Sequence, residues 1–401
     1  MDTAKTVMDP QQLRARIAEI VPQIIAFRRE LHMFPEPGLK EVETAGRIRE
    51  RIRSYPLKIQ EPLVGTDTVA VLHGAQPGRN VTLRADIDAL PLQEKSDVAW
   101  KSKNASCAHS CGHDGHAAML MGALMILCEL RENFCGSVRF VFQPAEEKYG
   151  GGKQMVEKGL LDADPRPDAV FALHGWPELP VGTLAAKSGV YMAANDRFSI
   201  RVQGRGGHGA KPHLAVDPIV IGTRIVQALQ TIASRSIDPA EPAVISVCTF
   251  HGGDADNVIP DEVTMSGTVR YFNEKLHSAI RTRMEALVKG ICDSAGAGCE
   301  FTYQDGYISL VNDPGKVAFA RRVVQSYLGE ASWAGELPLT TSSEDFSFYL
   351  RKSPGVFLRL GLGTDRYNLH NPHFDFNDQA IEAGILTLVA LVLESLDPAD
   401  P

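Results

Sequence analysis

The sequence predicts an α/β architecture interrupted by a smaller α+β unit, and three observations lead there. From about residue 11 to residue 176, runs with strand texture alternate with runs of helical spacing, the signature of a sheet with substantial parallel character. From about residue 190 the order changes to β-α-β-β-α-β, the ferredoxin-like pattern. Acids and histidines collect where the predicted strands of the first region end, which is where ligands bind in α/β sheets.

Taken in order, residues 11–34 place apolar side chains at helical spacing (Ile17, Ile20, Val21, Ile24, Ile25, Phe27, Leu31), and "FPEPG" stops that helix with two prolines and a glycine. Residues 41–54 read as a second helix. "TDTVAVLHG" and "NVTLRADIDALP" read as strands, the second ending among acids. An oily helix is expected at 115–133, whose run at 117–128 is too short for a membrane span. "GSVRFVFQPAEE" is a strand with acids at its end; a helix near 152–160 and the strand "DAVFALHGWP" follow. The second region reads as "RFSIRVQGRGG" (strand), "DPIVIGTRIVQALQTIAS" (helix), "AVISVCTFHGG" and "EVTMSGTVRYF" (strands), a helix from 274 to 296, and the strand "CEFTYQDG". Helices near 313–329, 343–351 and 377–396 and the strand "GVFLRLGL" return to α/β texture. The expected organisation is one domain made of residues 1–188 and 307–401, interrupted by a second at 189–306. Two domains suit 401 residues.

Composition excludes more than it selects. A net charge of −8 lacks the basic stripe a nucleic-acid binder needs. "MDTAKTVMDPQQLRARIAEI" has acids and no apolar core, so no secretory leader is expected. Seven cysteines form no disulfide framework, and a reducing cytoplasm is the expected compartment.

"CAHSCGHDGHAAML" places Cys107, Cys111, His109, His113, Asp114 and His116 within ten positions. A zinc knuckle or thioredoxin-type pair needs C-x-x-C spacing, which no cysteine pair here has. A Cys–His nucleophile needs a base facing the thiol, and sequence neighbours rarely supply one. A share in a catalytic metal site remains. In "QPAEE", Glu146 and Glu147 are either a solvated turn or a metal ligand beside a general base, a division that suits metal-assisted hydrolysis. His174 in "ALHGWP" and His370 in "NLHNPHF" are each, alone, ordinary structural histidines; with the other clusters they complete a donor set of N, S and O.

At this point the chain resembles the metallo-amidohydrolases that include hippurate hydrolases, N-acyl-amino-acid amidohydrolases and indole-acetyl-amino-acid hydrolases, a branch of the aminoacylase and carboxypeptidase family. The motifs "RRELHMFPEPGLKEVET", "RADIDALPLQE", "HSCGHDGHAAML", "FQPAEE", "LHGWP", "GRGGHGAKPHLAVDP", "DNVIPDE", "SGTVR", "SSEDF" and "HNPHF" run in order through nearly the whole chain. The resemblance implies a metallo-exopeptidase-like catalytic domain on a mixed sheet with an inserted ferredoxin-like lid and dimerisation domain. It implies Cys111, His113, Glu147, His174 and His370 as metal ligands, Glu146 as general base, Asp88 as the acid orienting a ligand, His208 as a lid histidine reaching the partner subunit's site, and Asn257 as a lid residue near substrate. Asp86 stands where another branch has histidine, and its ligand role stays open.

Five donors exceed the needs of one open catalytic ion, so two divalent ions per subunit are expected; a thiolate favours zinc, while imidazoles and carboxylates also accept manganese, cobalt or nickel. The implied substrate is a small N-acyl amino acid or short peptide, with carboxypeptidase or N-acetyl-diaminopimelate deacetylase activity as the runner-up and a non-catalytic binding protein as the alternative outside that class. The expected assembly is a homodimer or higher homo-oligomer through the inserted domain.

Overall fold

The computed structural model of the protein describes residues 9–397. Residues 1–8, which carry part of the expectation about a leader, lie outside that range. The chain divides into two compact units: Met1–Gly189, Val311–Pro338 and Asp345–Pro401 form the first, Val190–Leu310 and Leu339–Glu344 the second.

In the first unit, α1 (Pro10–Met33) begins with proline in its first turn, a position where the missing N–H costs no hydrogen bond, and buries Leu13, Ile17, Ile20, Ile24, Phe27 and Leu31 along one face. After α2 (Val42–Ile52) the chain enters an eight-stranded sheet. Its first strands are β1 (Lys58–Ile59), β2 (Thr68–His73), β3 (Gln76–Asp86), β4 (Cys135–Gln143) and β5 (Ala169–Trp176). Their spatial order is β1-β2-β4-β3-β5, continued by Gly355–Gly361, Leu184–Ala185 and Trp333–Gly335. β4, β3, β5 and Gly355–Gly361 run parallel, while β2 is antiparallel to β4, so the sheet is mixed as expected.

α3 (His113–Glu129) is buried on all sides except its last residue, as its apolar composition requires. Among the described residues, Asp378–Leu396 is long and apolar enough to cross a membrane, yet most of it is buried inside the protein. It crosses α3 closely: a Cβ on Gly384 would lie 2.0 Å from Met119 Sδ, and one on Gly122 would lie 2.4 Å from Ile385 Cδ1.

The second unit is a four-stranded antiparallel sheet in the order Ala243–His251, Glu262–Tyr271, Ala194–Gln203, Gly298–Tyr307, with helices Pro218–Thr231 and Leu276–Ala295. Numbered along the chain, the strand order is 2-3-1-4, the ferredoxin-like topology. Asp217 caps the first helix by accepting from Ile219 N and Val220 N. Leu339–Glu344 joins this unit because Ala193 N donates to Thr340 O (3.1 Å) and Thr340 N to Tyr191 O (3.2 Å). The helix expected near 343–351 accordingly starts only at Ser347.

Candidate metal centre

β4, β3 and β5 are adjacent and parallel, so their carboxyl ends open on one edge of the sheet. The residues at those ends therefore converge: Asp86 at the end of β3 and Asp88 beyond it, Glu146 and Glu147 after β4, His174 near the end of β5. Cys111 and His113 arrive from the start of α3, where Gly112 at φ +85° forms the bend; a Cβ there would press on Phe376 at 3.1 Å.

Donor atoms of Cys111, His113 and Glu147 all lie within 4.8 Å of one another. His174 Nε2 is 3.6 Å from Cys111 Sγ, and His370 Nε2 is 3.3 Å from Glu147 Oε1. The five expected ligands thus form one connected cluster. His370 comes on a loop: its backbone takes φ +64°, its N donates to Ser110 O at 2.7 Å, and its side chain is half exposed.

Hydrogen bonds outside the cluster aim the imidazoles inward. Asp88 Oδ1 lies 3.0 Å from His113 Nδ1, and Asp88 Oδ2 accepts from Glu147 N at 3.0 Å. One buried carboxylate thereby orients two donors and leaves His113 Nε2 facing the cluster. His174 donates from Nδ1 to Gly175 O at 2.9 Å, which turns Nε2 toward Cys111.

The sequence left the ligand role of Asp86 open, and the structure places it against His116 and Arg84. His116 Nε2 accepts from Gly175 N at 2.8 Å, and its Nδ1 is 2.6 Å from Asp86 Oδ1, so both ring nitrogens are committed. Asp86 Oδ2 accepts from Arg84 Nη1 at 2.7 Å and lies 3.8 Å from His113 Nε2. Arg84 also pairs with Asp345 (2.8 Å), which accepts from Gln143 Nε2 and Gly152 N. Donor atoms of Asp86, His113, His116 and His174 also lie within 4.8 Å of one another, so Asp86 and His116 border the five expected ligands directly. The pairing of Arg84 with Asp345 carries no local signal, because the two lie 261 positions apart.

The electrostatics suit a cation. Burial pushes the Cys111 thiol well up, and Glu147, Glu146 and Asp86 push it further. Burial alone lowers His113, yet Asp86 and the Asp88 hydrogen bond raise it to about 10. His174, buried beside His116, is held well below the usual imidazole range and offers a neutral nitrogen. His113 Nε2 is fully buried without a hydrogen-bond partner among the described residues. A buried sulfur, two imidazoles aimed inward and surplus carboxylate charge fit divalent ions of the zinc or manganese type.

His208 and Asn257 lie on the second unit. The short strand Gly207–His208 pairs with Val258–Ile259, Gly209 N donates to Asn257 O at 2.8 Å, and both side chains are exposed.

Residues 82–394 match the family model "Peptidase family M20/M25/M40". The chain is 44% identical over 307 residues to an N-acyl-L-amino acid amidohydrolase of Geobacillus stearothermophilus, covering 76% of this chain and 82% of the relative. It is 36% identical over 392 residues to thermostable carboxypeptidase 1 of Saccharolobus solfataricus, covering 96% and 98%. Among solved structures, the Bacillus subtilis YXEP protein, described as a dinuclear metal binding peptidase, aligns with TM-score 0.79 and 33% identity over 94% of this chain and 99% of that one.

Proposed function

Because the chain belongs to peptidase family M20/M25/M40, we propose that it is a metal-dependent amidohydrolase that splits the amide bond of N-acyl and N-aroyl amino acids of the hippurate type into a carboxylate and a free amino acid. The observation that carries this reading is the five-donor cluster, buried at Cys111, His113 and His174, with a further buried carboxylate, Glu146, next to the donor Glu147. Cys111, His113, Glu147, His174 and His370 would hold two divalent ions (zinc, manganese, cobalt or nickel). Such ions, when bound, acidify water and polarise an amide carbonyl.

The chain's own groups do the rest. Glu146 takes a proton from the attacking water and returns it to the departing amine nitrogen. Asp88 keeps His113 in the tautomer that presents Nε2. His208 donates to the tetrahedral oxyanion from the partner subunit of a homodimer, a role worth roughly 3–4 kcal/mol in the transition state. Asn257, beside it in the second unit, contacts the substrate.

The test is Glu146→Ala. Metal content by elemental analysis stays at two ions per chain while kcat on N-benzoylglycine falls roughly 10²–10⁴-fold; wild-type turnover by this variant rejects the base assignment. The carboxypeptidase relative favours a second reading. A panel of N-benzoyl and N-acetyl amino acids, N-acetyl-diaminopimelate and dipeptides separates the two, since hydrolysis of dipeptides alone points to the second.

A further inference from the structure

The turn that carries Glu146 and Glu147 is held by an acid outside the donor cluster. Glu41, at the start of α2, is fully buried. Its Oε1 accepts from Ala145 N at 2.9 Å and its Oε2 from Thr66 Oγ1 at 2.8 Å. Ala145 directly precedes Glu146 and has φ +59°, a left-handed conformation that a residue with a Cβ disfavours. Such conformations persist where the surroundings over-determine them.

The surroundings here are specific. A Cβ on Gly38 would lie 3.1 Å from both Cα and Cβ of Ala145, so residues 38–41 wrap this point closely. Further along, Glu147 N is held by Asp88 Oδ2 (3.0 Å), Gly151 N donates to Ala145 O (3.0 Å), and Gly152 N donates to Asp345 Oδ2 (2.7 Å). Asp88 and Asp345 hold later positions of the same turn. Glu41 grips the left-handed residue itself.

We infer that Glu41 is a positioning residue: through the N–H of Ala145 it holds the left-handed turn that aims Glu146 and Glu147 at the donor cluster. The inference rests on the roles proposed above for those two glutamates. Without the acceptor, a buried N–H loses its partner, and the turn escapes strain by moving toward negative φ, rotating both carboxylates away.

The test compares three variants in two assays. Glu41→Ala removes the acceptor. Glu41→Asp keeps the carboxyl group but falls a methylene short. Glu41→Gln keeps Oε1 for Ala145 N and offers an N–H to Thr66 Oγ1. One assay is competition for Mn²⁺ or Zn²⁺ against a chromophoric chelator; the other is kcat and KM on a substrate the wild type cleaves. Glu41→Ala and Glu41→Asp are expected to lose about 10–100-fold in metal affinity or in kcat, with KM within about threefold, while Glu41→Gln stays near wild type. Adding Ala145→Gly to Glu41→Ala restores part of the loss, because glycine takes positive φ without a Cβ penalty. Should Glu41→Ala fail to fold, Glu41→Asp against Glu41→Gln decides. Unchanged affinity and kcat in Glu41→Asp, or equal damage in Glu41→Gln and Glu41→Asp, overturns the inference. If the wild type cleaves no N-acyl amino acid, the proposed function fails, and the chelator competition still decides on Glu41.

Discussion

His32 closes α1 inside a buried charge cluster, and its protonation makes part of the protein's stability depend on pH. Burial and the neighbouring Arg28 guanidinium both disfavour the imidazolium. Asp114 (2.8 Å from Nδ1) and Glu94 (3.1 Å from Nε2) outweigh them and raise the imidazole from 6.5 to about 9. Arg28 cannot neutralise these acids alone, since it also meets Asp375 and Asp378, and Arg29 shares Asp378. Four carboxylates therefore face two guanidinium groups, and the charged imidazole supplies a third cation. His109, whose ring centroid is 6.2 Å away, is buried and held down to about 3, so it adds no charge at neutral pH.

At about 1.4 kcal/mol per pKa unit, the raised imidazole contributes about 3 kcal/mol to stability. A raised folded-state pKa places that contribution fully below pH 6.5 and removes it as pH rises through about 9. The depressed carboxyls of Asp114 and Glu94 act oppositely, losing their contribution as pH falls below the ordinary carboxylate range. The assay is urea unfolding of wild type and His32→Gln with metal saturating, at pH 6.0 and pH 9.5. The gap in unfolding free energy between the two chains should be about 3 kcal/mol smaller at the higher pH. Parallel pH profiles would show that His32 folds neutral and refute the reasoning.

Two further outcomes are expected. Removing metal with a chelator should lower the thermal midpoint, since an ion present at about 100 times its Kd contributes about 2.7 kcal/mol to the folded state; a midpoint unmoved by chelation or by added Zn²⁺ or Mn²⁺ counts against the metal centre. Mixing His208→Ala chains with Glu146→Ala chains should recover activity in mixed dimers, and no recovery in confirmed mixed dimers would remove His208 from the partner's site.

Much of this was legible in the sequence where chemistry is local. Strand ends mark themselves by acids after apolar runs, and "SCGHDGH" and "PAEE" hold candidate donors within a few residues, while the full five-ligand set came from the family resemblance. What escaped lies in long-range pairing. Nothing in "RRELH" says that Arg28 will meet Asp114 and Asp375, or that Glu41 will reach across 104 positions to Ala145. The positive φ of Ala145 and His370 was hidden for a related reason: neither is glycine, and only surrounding tertiary contacts hold them there. Asp86 shows the limit from the other side. Its motif position left its ligand role open, and in the fold its carboxylate is shared between Arg84 and His116 beside the donor cluster.

The interruption of the first unit has a consequence for biosynthesis. Gly355–Gly361, which completes the parallel core beside β5, and the histidine at 370 leave the ribosome only after the whole ferredoxin-like insert. Domains fold as units during synthesis, so the insert can mature on the nascent chain while its host waits half-built. The five proposed ligands are therefore complete only after the insert has been made, and a chain stopped before residue 370 would lack one of them.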